Sequence, residues 1–307
     1  MKPSTTPDQA SPAQPAMPSP TSLPPARKSP VAVSSAEAFR RACRYEWRHL
    51  TGLRSTWILL GVVAALSLLT GLSLLDQDTS RPISSAAMAD IVMWTPLATQ
   101  VPALCFFLLV LGTGPVSTDL VGGAARTTWL AVNGRGMAYG AKCTVGFLVG
   151  ATVAATSALV GILSCATTLT VQDAGQPDWA GVLIPVLRFT LWTGCWSLFC
   201  LALVSLIRSR IVPVLILCMW PLIAERLAGG ALGYLPGLEG IGNWLPFAAG
   251  RAMLTDPSAL PVDDQAFART LVGSDLSSAT ATAVFCLYTA LLTAAGWWKY
   301  RKQDAAT

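Results

Sequence analysis

The chain contains blocks of about 20 consecutive apolar residues, and this pattern limits what it can fold into. The segment from Thr56 to Leu75, for example, carries no charged residue. As an α-helix, about 20 residues cross the roughly 30 Å hydrocarbon core of a bilayer. Only 12% of all residues are charged, which is about half the share in a soluble domain. The sequence therefore predicts an all-α integral membrane protein.

Six blocks are long and apolar enough to be predicted as membrane spans. They lie near residues 56–75, 97–116, 145–169, 181–207, 211–232 and 279–298. The stretch from Asp76 to Asp90 is interpreted as a polar loop. In the longest loop, Gly233 to Ser278, the apolar segment from Trp244 to Gly250 is too short to cross. We expect this segment to be re-entrant or interfacial, with its backbone covered by protein.

The distribution of lysine and arginine predicts which side of the membrane each loop faces. With the N-terminus inside, most of the 21 basic residues fall in inner segments, whereas the acidic residues concentrate in outer ones. Short loops rich in lysine and arginine stay on the cytoplasmic side of a membrane. We therefore expect both termini to be cytoplasmic.

The N-terminal region divides into a tail and a helix. Residues 1–35 are rich in Pro, Ser and Ala and are predicted to be a disordered cytoplasmic tail. Ser34 and Glu37 match a capping box, which predicts the start of a helix. One face of this helix is apolar: Phe39, Cys43, Trp47 and Leu50. Another face is basic: Arg40, Arg44 and Arg48. Such an amphipathic helix is typical of the membrane interface.

Side chains that support enzymatic chemistry are scarce. The single histidine, His49, falls on the amphipathic helix. The Gly134–Lys142 segment fails the phosphate-loop pattern because Ala141 separates Gly140 from Lys142. Eight cysteines are present without a C-x-x-C pair, which disfavours a zinc site or disulfide framework. We therefore expect no catalytic residue, no metal site, no directly bound cofactor and no nucleic-acid partner.

Two ionisable residues, Arg188 and Glu225, lie inside predicted spans. At 1.5 Å per residue, Arg188 is roughly 10 Å from the outer side and Glu225 roughly 21 Å from the inner side. These depths match in a core about 30 Å thick. Because isolated charges are unfavourable in lipid, we predict an Arg188–Glu225 pair in or near a translocation path. The alternative is that Arg188 extends to the interface and Glu225 pairs with Arg226 or water.

Gly146 and Gly150 form a G-x-x-x-G motif in the predicted third span. Small residues at this spacing let two membrane helices approach closely. Because the chain has 25 glycines, the motif is interpreted either as a chance match or as a helix contact.

The loop between the predicted second and third spans has the pattern of a docking segment. From Ser117 to Leu130 the residues suit a short amphipathic helix, and a glycine-rich turn leads on to Lys142. Asp119 favours the N-terminal end of such a helix through the helix dipole. A soluble protein could dock on this helix; the alternative is a bare connecting loop.

This segment resembles the cytoplasmic loop of type-two ABC transporter permeases, especially those of the actinobacterial kind. The matching residues are Asp119, Gly123, Arg126, Thr127 and Thr128. The chain departs from the family pattern at Leu120, Val121 and Ala124. Two other stretches are similar to the family's entry into the first span and its outer-loop signature: Glu46 to Trp57 and Leu245 to Gly250. The resemblance covers roughly Ala36 to Lys302.

The resemblance implies a permease subunit of an ATP-driven exporter, with a six-span domain at residues 36–303 in the bacterial cytoplasmic membrane. A separate ABC ATPase subunit would supply ATP hydrolysis and dock on the coupling residues Asp119, Gly123, Arg126, Thr127, Thr128 and Trp129. A second permease subunit, identical or different, would complete the path. Drug or antibiotic efflux is an expected task, although the pattern does not specify the cargo.

Other classes of membrane protein remain as alternatives. The first is a stand-alone immunity, sensory or scaffold protein without transport activity. An ion-coupled secondary transporter ranks lower, because the internal repeats typical of that class are not evident in the sequence.

Overall fold

A computed structural model describes residues 34–75, 83–94, 102–122, 134–207, 209, 211–238, 240–257 and 262–302. Within these residues the regular secondary structure is helical and no β-strand occurs. The all-α fold expected from the sequence is thus confirmed. The tail at residues 1–33 lies outside the described residues.

The described residues form eleven α-helices. In order they are α1 (Ser35–Thr51), α2 (Arg54–Leu72), α3 (Ser85–Met93), α4 (Ala103–Gly122), α5 (Arg135–Val171), α6 (Trp179–Ile207), α7 (Val212–Met219), α8 (Glu225–Gly233), α9 (Pro246–Leu254), α10 (Val262–Val272) and α11 (Ser278–Lys302). A π-helical turn, Trp220–Ala224, joins α7 to α8, and a 3-10 turn, Ile241–Trp244, precedes α9.

Five of the described segments are long and apolar enough to cross a membrane. They are α2, α5, α6, α11 and the continuous stretch Val212–Gly233, which combines α7, the π turn and α8. Helix α4 contains a shorter apolar run, Ala103–Gly114. Five such segments are characteristic of a multi-pass membrane protein, as the sequence predicted.

Helix α3 corrects the interpretation of the region before residue 90 as a polar loop. Its apolar side chains are buried in the bundle: Met88, Ala89, Val92 and Met93. The Ser84 hydroxyl accepts a hydrogen bond from Ala87 N at 3.3 Å and so caps the N-terminus of the helix. The nine-residue helix is too short to cross a bilayer, so the sequence shows no long apolar block there.

Helix α5 begins ten residues before the predicted span. Its 37 residues extend for about 55 Å at 1.5 Å per residue, far more than a hydrocarbon core of about 30 Å. The additional turns pack against α1 through small side chains, and Ala42, Ala138 and Ala141 form a buried cluster there. The stretch from Arg135 to Lys142, which the sequence analysis placed in a glycine-rich turn, is therefore the beginning of this long helix.

Small residues allow the central helices to approach closely. A Cβ added to Gly150 on α5 would lie 2.9 Å from Thr193 O on α6. A Cβ added to Gly146 would lie 2.7 Å from a methyl carbon of Leu201. The G-x-x-x-G motif is therefore a contact between α5 and α6 within one chain.

Helix α9 is packed among the spans. Phe247 on α9 contacts the Trp196 ring of α6, with ring centroids 5.9 Å apart. A Cβ added to Gly250 would lie 2.7 Å from Trp192 Nε1. Trp192 itself stacks on Phe285 of α11 at 5.4 Å. The apolar segment that contains Phe247 and Gly250 is thus covered by protein, as we expected for a segment too short to cross the bilayer.

The α5–α6 contact gives a stability prediction. We expect Gly150→Ala to lower the free energy of unfolding by about 1–3 kcal/mol, because overpacking forces two backbones apart. Gly61→Ala is the matched control, since no atom lies within 4 Å of a Cβ added to Gly61. Thermal unfolding of the detergent-solubilised protein measures both. Equal melting temperatures for the two variants would contradict the close contact.

Candidate functional site

The predicted docking segment lies mostly outside the described residues. Asp119 belongs to the backbone of α4, whereas Gly123, Arg126, Thr127, Thr128 and Trp129 fall in the undescribed stretch 123–133. Their role in coupling therefore stays a prediction. The structure does describe the start of α5 at Arg135, directly after this stretch.

A buried ion pair joins the first turns of α5 to α1. Lys142 Nζ lies 2.6 Å from Glu46 Oε1, and each side chain is only 3% exposed. Ala42, Glu46 and Leu50 recur every four residues and form the buried face of α1. Removing one partner of such a pair leaves an uncompensated charge, which destabilises a protein by about 3–5 kcal/mol. The pair therefore fixes α1 to α5.

The sequence assigned the faces of α1 only in part. Phe39 and Trp47, from the predicted apolar stripe, are exposed and suit a membrane interface. Leu50, from the same stripe, is instead buried against the protein. Glu46 was not singled out, because the sequence does not show that a lysine 96 residues away would meet it.

The last turns of α11 are attached to the same end of the bundle. Arg135 Nη1 donates a hydrogen bond to Arg301 O at 3.4 Å, and the Lys299 ammonium group donates to Leu206 O. The Tyr139 and Tyr300 rings lie 5.2 Å apart. We call this region the α1 end: α1, the first turns of α5 and the last turns of α6 and α11. These contacts connect its four helices into one block.

At the opposite end, the structure gives Glu225 a different partner from the one predicted. Arg251 Nη2 lies 3.6 Å from Glu225 Oε1. Arg188 instead lines a separate cavity of about 310 Å³ together with Asp90 and Asp256. Arg251 comes from α9, in the loop between two spans, so its depth in the membrane does not follow from a position within a span. The predicted Arg188–Glu225 pair is thus replaced by Glu225–Arg251.

Glu225 also caps a helix. Its Oε2 accepts a hydrogen bond from Phe247 N at 2.9 Å, in the first turn of α9. A carboxylate at a helix N-terminus is stabilised by the helix dipole and by N–H groups that lack an intrahelical partner. With a side chain only 1% exposed, Glu225 connects α8 to α9.

Arginines cap the C-terminus of α10 in the same region. Arg251 Nε donates to Val272 O at 2.9 Å, and the Arg226 guanidinium donates to Leu271 O. Cations at a helix C-terminus interact favourably with the dipole and with the last carbonyl groups. Glu225, Arg251 and Arg226 thus hold α8, α9 and α10 together by charge-assisted hydrogen bonds.

Arg251 is charged although only 11% of its side chain is exposed. Burial lowers the pKa of its guanidinium to about 10, and the Glu225 carboxylate opposes part of that shift. The group therefore remains protonated at neutral pH. Arg251 lies in the otherwise apolar stretch Pro246–Leu254, and an arginine in such a stretch is the sequence signal that could have identified it.

These charged groups border a cavity of about 360 Å³. We call it the arginine cavity, after the three arginines in its wall: Arg226, Arg251 and Arg269. Two carboxylates, Glu225 and Asp275, also line it. Among the described lining residues the side-chain charges therefore leave an excess of one positive charge.

Known proteins give no further assignment. No family model, curated protein or solved structure matches this chain significantly.

The ion pair at the α1 end gives a second stability prediction. Lys142→Met should lower the free energy of unfolding by about 3–5 kcal/mol, because Glu46 is left buried without its cation. Arg41→Met is the matched control, since Arg41 pairs with Glu37 on the exposed surface of α1. Such exposed pairs contribute only about 0.3–0.5 kcal/mol.

Denaturant unfolding of the purified protein measures these differences. The double variant Glu46→Leu/Lys142→Met should recover part of the loss, because replacing a buried pair with apolar side chains is often tolerated. A Lys142→Met variant as stable as Arg41→Met would show that the pair does not hold α1 in place.

Proposed function

We propose that this chain is the membrane-spanning permease subunit of an ATP-driven ABC exporter. A separate ATPase subunit would supply the energy, and a second permease subunit would complete the translocation path. The observation that carries the proposal is the buried Lys142–Glu46 pair. It lies at the base of the helix that follows the loop resembling the ATPase-contacting loop of these permeases.

The geometry suits transmission of a movement from that loop into the membrane. If the ATPase subunit moved the segment at residues 123–133, the first turn of α5 would move with it, because α5 begins directly after this segment. Because α5 is one continuous helix of 37 residues, it would carry the movement through the whole bundle. The Lys142–Glu46 pair would move α1 with it, since separating the two charges is unfavourable.

ATP binding would then favour one arrangement of this block over another. A ligand shifts an equilibrium only by its differential affinity for the two states. The coupling residues Asp119, Gly123, Arg126, Thr127, Thr128 and Trp129 would provide the contacts that differ, and the chain itself would not be an enzyme.

We further propose six spans, with α4 as the second, and both termini in the cytoplasm. The α1 end contains Arg135 and Lys142 at the start of α5 and three basic residues in the last turn of α11: Lys299, Arg301 and Lys302. At the other end of α5 and α6, the connection contains Asp173 and Asp178. This asymmetry supports a cytoplasmic α1 end by the positive-inside rule.

An amphipathic or apolar cargo, such as a drug or antibiotic, fits the surfaces near the opposite end. A groove of about 640 Å³ between α2, α3 and α4 is lined mainly by apolar side chains, including Leu66, Leu69 and Phe107. Arg188 and Glu225 line two further cavities, and we retain both as candidate residues of the path.

The topology predicts opposite labelling of two loops. In a variant lacking the native cysteines, a cysteine introduced at Arg126 should react with a membrane-impermeant maleimide only after intact cells are opened. A cysteine introduced at Asp256, which lies between α9 and α10, should react in intact cells. Mass-shift gel analysis measures both. Labelling of the Arg126 position in intact cells would exclude docking of a cytoplasmic ATPase there.

If the loop that contains Arg126 contacts the ATPase subunit, the complex should be sensitive to a change of charge in that loop. An ATPase subunit should co-purify with the tagged chain from native membranes in mild detergent, and Arg126→Glu should reduce its recovery at least about tenfold, as expected for loss of a charge-assisted contact. Arg54→Glu is the matched control, because it is the same charge reversal at a residue that begins α2 and lies outside the segment that resembles the ATPase-contacting loop. Quantitative mass spectrometry measures recovery. If no ATPase is found with the unmodified chain, the stand-alone membrane protein becomes the better assignment.

A further inference from the structure

Three exposed arginines recur every four residues on α1, and we call them the basic face: Arg40, Arg44 and Arg48. At 3.6 residues per turn their side chains lie within about 80° of one another around the helix axis. The two carboxylates of α1 have other partners. Glu37 pairs with Arg41, and Glu46 pairs with Lys142. The basic face therefore has no paired carboxylate from its own helix.

The connection between α1 and α2 places α1 beside the start of a membrane span. Helix α1 ends at Thr51 and α2 begins at Arg54, and α2 is long and apolar enough to cross a bilayer. The hydroxyl of Thr56 donates a hydrogen bond to Leu50 O at 2.7 Å. The indole of Trp57 donates to Thr51 O at 2.8 Å. The last turn of α1 is therefore fixed to the first turn of α2, at the edge of the hydrocarbon core.

The composition of α1 suits the headgroup region better than either neighbouring medium. Charged side chains are unfavourable in hydrocarbon, whereas Phe39 and Trp47 are 36% and 44% exposed and would be unfavourable in water. Trp47 lies seven residues after Arg40, which is about 20° away around the helix axis. An aromatic ring thus borders the basic face, as in helices that lie in the plane of a membrane interface.

The last turns of α11 repeat this combination at the same end of the bundle. Trp297 and Trp298 are 39% and 59% exposed. Arg301 Cζ lies 4.6 Å from the centroid of the Trp297 ring, and Lys302 Nζ lies 3.8 Å from that of the Trp298 ring. Tryptophan rings with nearby cations are characteristic of the boundary between a bilayer and water. A second helix therefore supports the position of the α1 end at this boundary.

Anionic phospholipid is the partner whose chemistry fits the basic face. Guanidinium groups donate charge-assisted hydrogen bonds to phosphate oxygens. An anionic lipid such as phosphatidylglycerol keeps the phosphate charge uncompensated, whereas the ammonium group of phosphatidylcholine compensates it. The aromatic residues beside the arginines favour a lipid surface over an acidic protein, because their rings can enter the acyl-chain boundary.

We infer that the basic face of α1 binds the headgroups of anionic phospholipids. The buried Lys142–Glu46 pair attaches α1 to α5, so the bound lipid would also hold the first turns of α5 at the membrane surface. The inference goes beyond the proposed transport activity. It does not depend on that activity, because the basic face would meet headgroups whether or not an ATPase docks.

Hydrogen–deuterium exchange of the full-length protein in lipid nanodiscs tests the inference. One preparation contains phosphatidylcholine alone, and the other contains equal parts of phosphatidylcholine and phosphatidylglycerol. Opening of α1 would take its arginines away from the headgroups, so the anionic lipid should slow exchange of the α1 amides. We expect a slowing of at least about fivefold, the equivalent of about 1 kcal/mol for one basic residue at an anionic surface.

Helix α10 is the internal control, because its two aspartates outnumber its single arginine. Its amides should exchange at the same rate in both preparations. In about 1 M sodium chloride, where the screening length is about 3 Å, the effect on α1 should disappear from the unmodified chain.

Two triple variants separate charge from helix structure. Replacing the three arginines of the basic face with glutamine should abolish the difference between the two lipid preparations, because these exposed side chains provide the charge. Replacing the same three arginines with lysine should preserve the difference, because lysine keeps each charge. In phosphatidylcholine alone, both variants should exchange like the unmodified chain.

Several results would overturn the inference. These are equal exchange of α1 in both preparations, equal slowing of α1 and α10, a difference that survives high salt or the glutamine substitutions, and loss of the difference in the lysine variant. Equal exchange of α1 would leave an acidic protein surface as the partner of the basic face. The nanodiscs contain no ATPase, so each of these results is separate from a failure of the proposed transport activity.

Discussion

Inside a bilayer, water is not available to satisfy polar groups, so a polar group without a partner within the protein is unfavourable. The helices satisfy their own backbones, and the polar side chains between them follow the same requirement. Ser67 and Ser157 face each other at 2.8 Å between α2 and α5. Charged residues are also paired within the protein, as the Lys142–Glu46 and Glu225–Arg251 pairs show. The positions of α1 and α9 result directly from these pairings.

Hydropathy predicted the long apolar helices and missed the short segments that neighbouring helices stabilise. The long apolar blocks gave α2, α5, α6, α11 and the stretch Val212–Gly233, because length and apolar composition are what a bilayer selects. Helix α3 and the first ten residues of α5 are stabilised by neighbouring helices. Their sequences therefore carry polar residues, such as Asp90 and Lys142, that suggested loops.

Of the Glu225–Arg251 pair, only Glu225 could be predicted from the sequence. Glu225 was recognised as a group that needs a partner, because its carboxylate interrupts an apolar span. The identity of the partner depended on how the loop after residue 233 folds back, and no periodicity in the sequence encodes that path. The same limit applies to Glu46, whose partner is 96 residues away. Tertiary structure decides both cases.

The π turn at Trp220–Ala224 has a consequence for the position of Glu225. A π turn inserts one additional residue into the hydrogen-bond ladder of a helix, and Pro221 within it lacks an N–H donor. If this turn relaxed to α geometry, α8 would rotate by roughly 100° relative to α7, the angle of one helical residue. Glu225 would then leave the N-terminus of α9. The apolar stretch Val212–Gly233 thus contains a rotational offset that sets the direction of the Glu225 carboxylate.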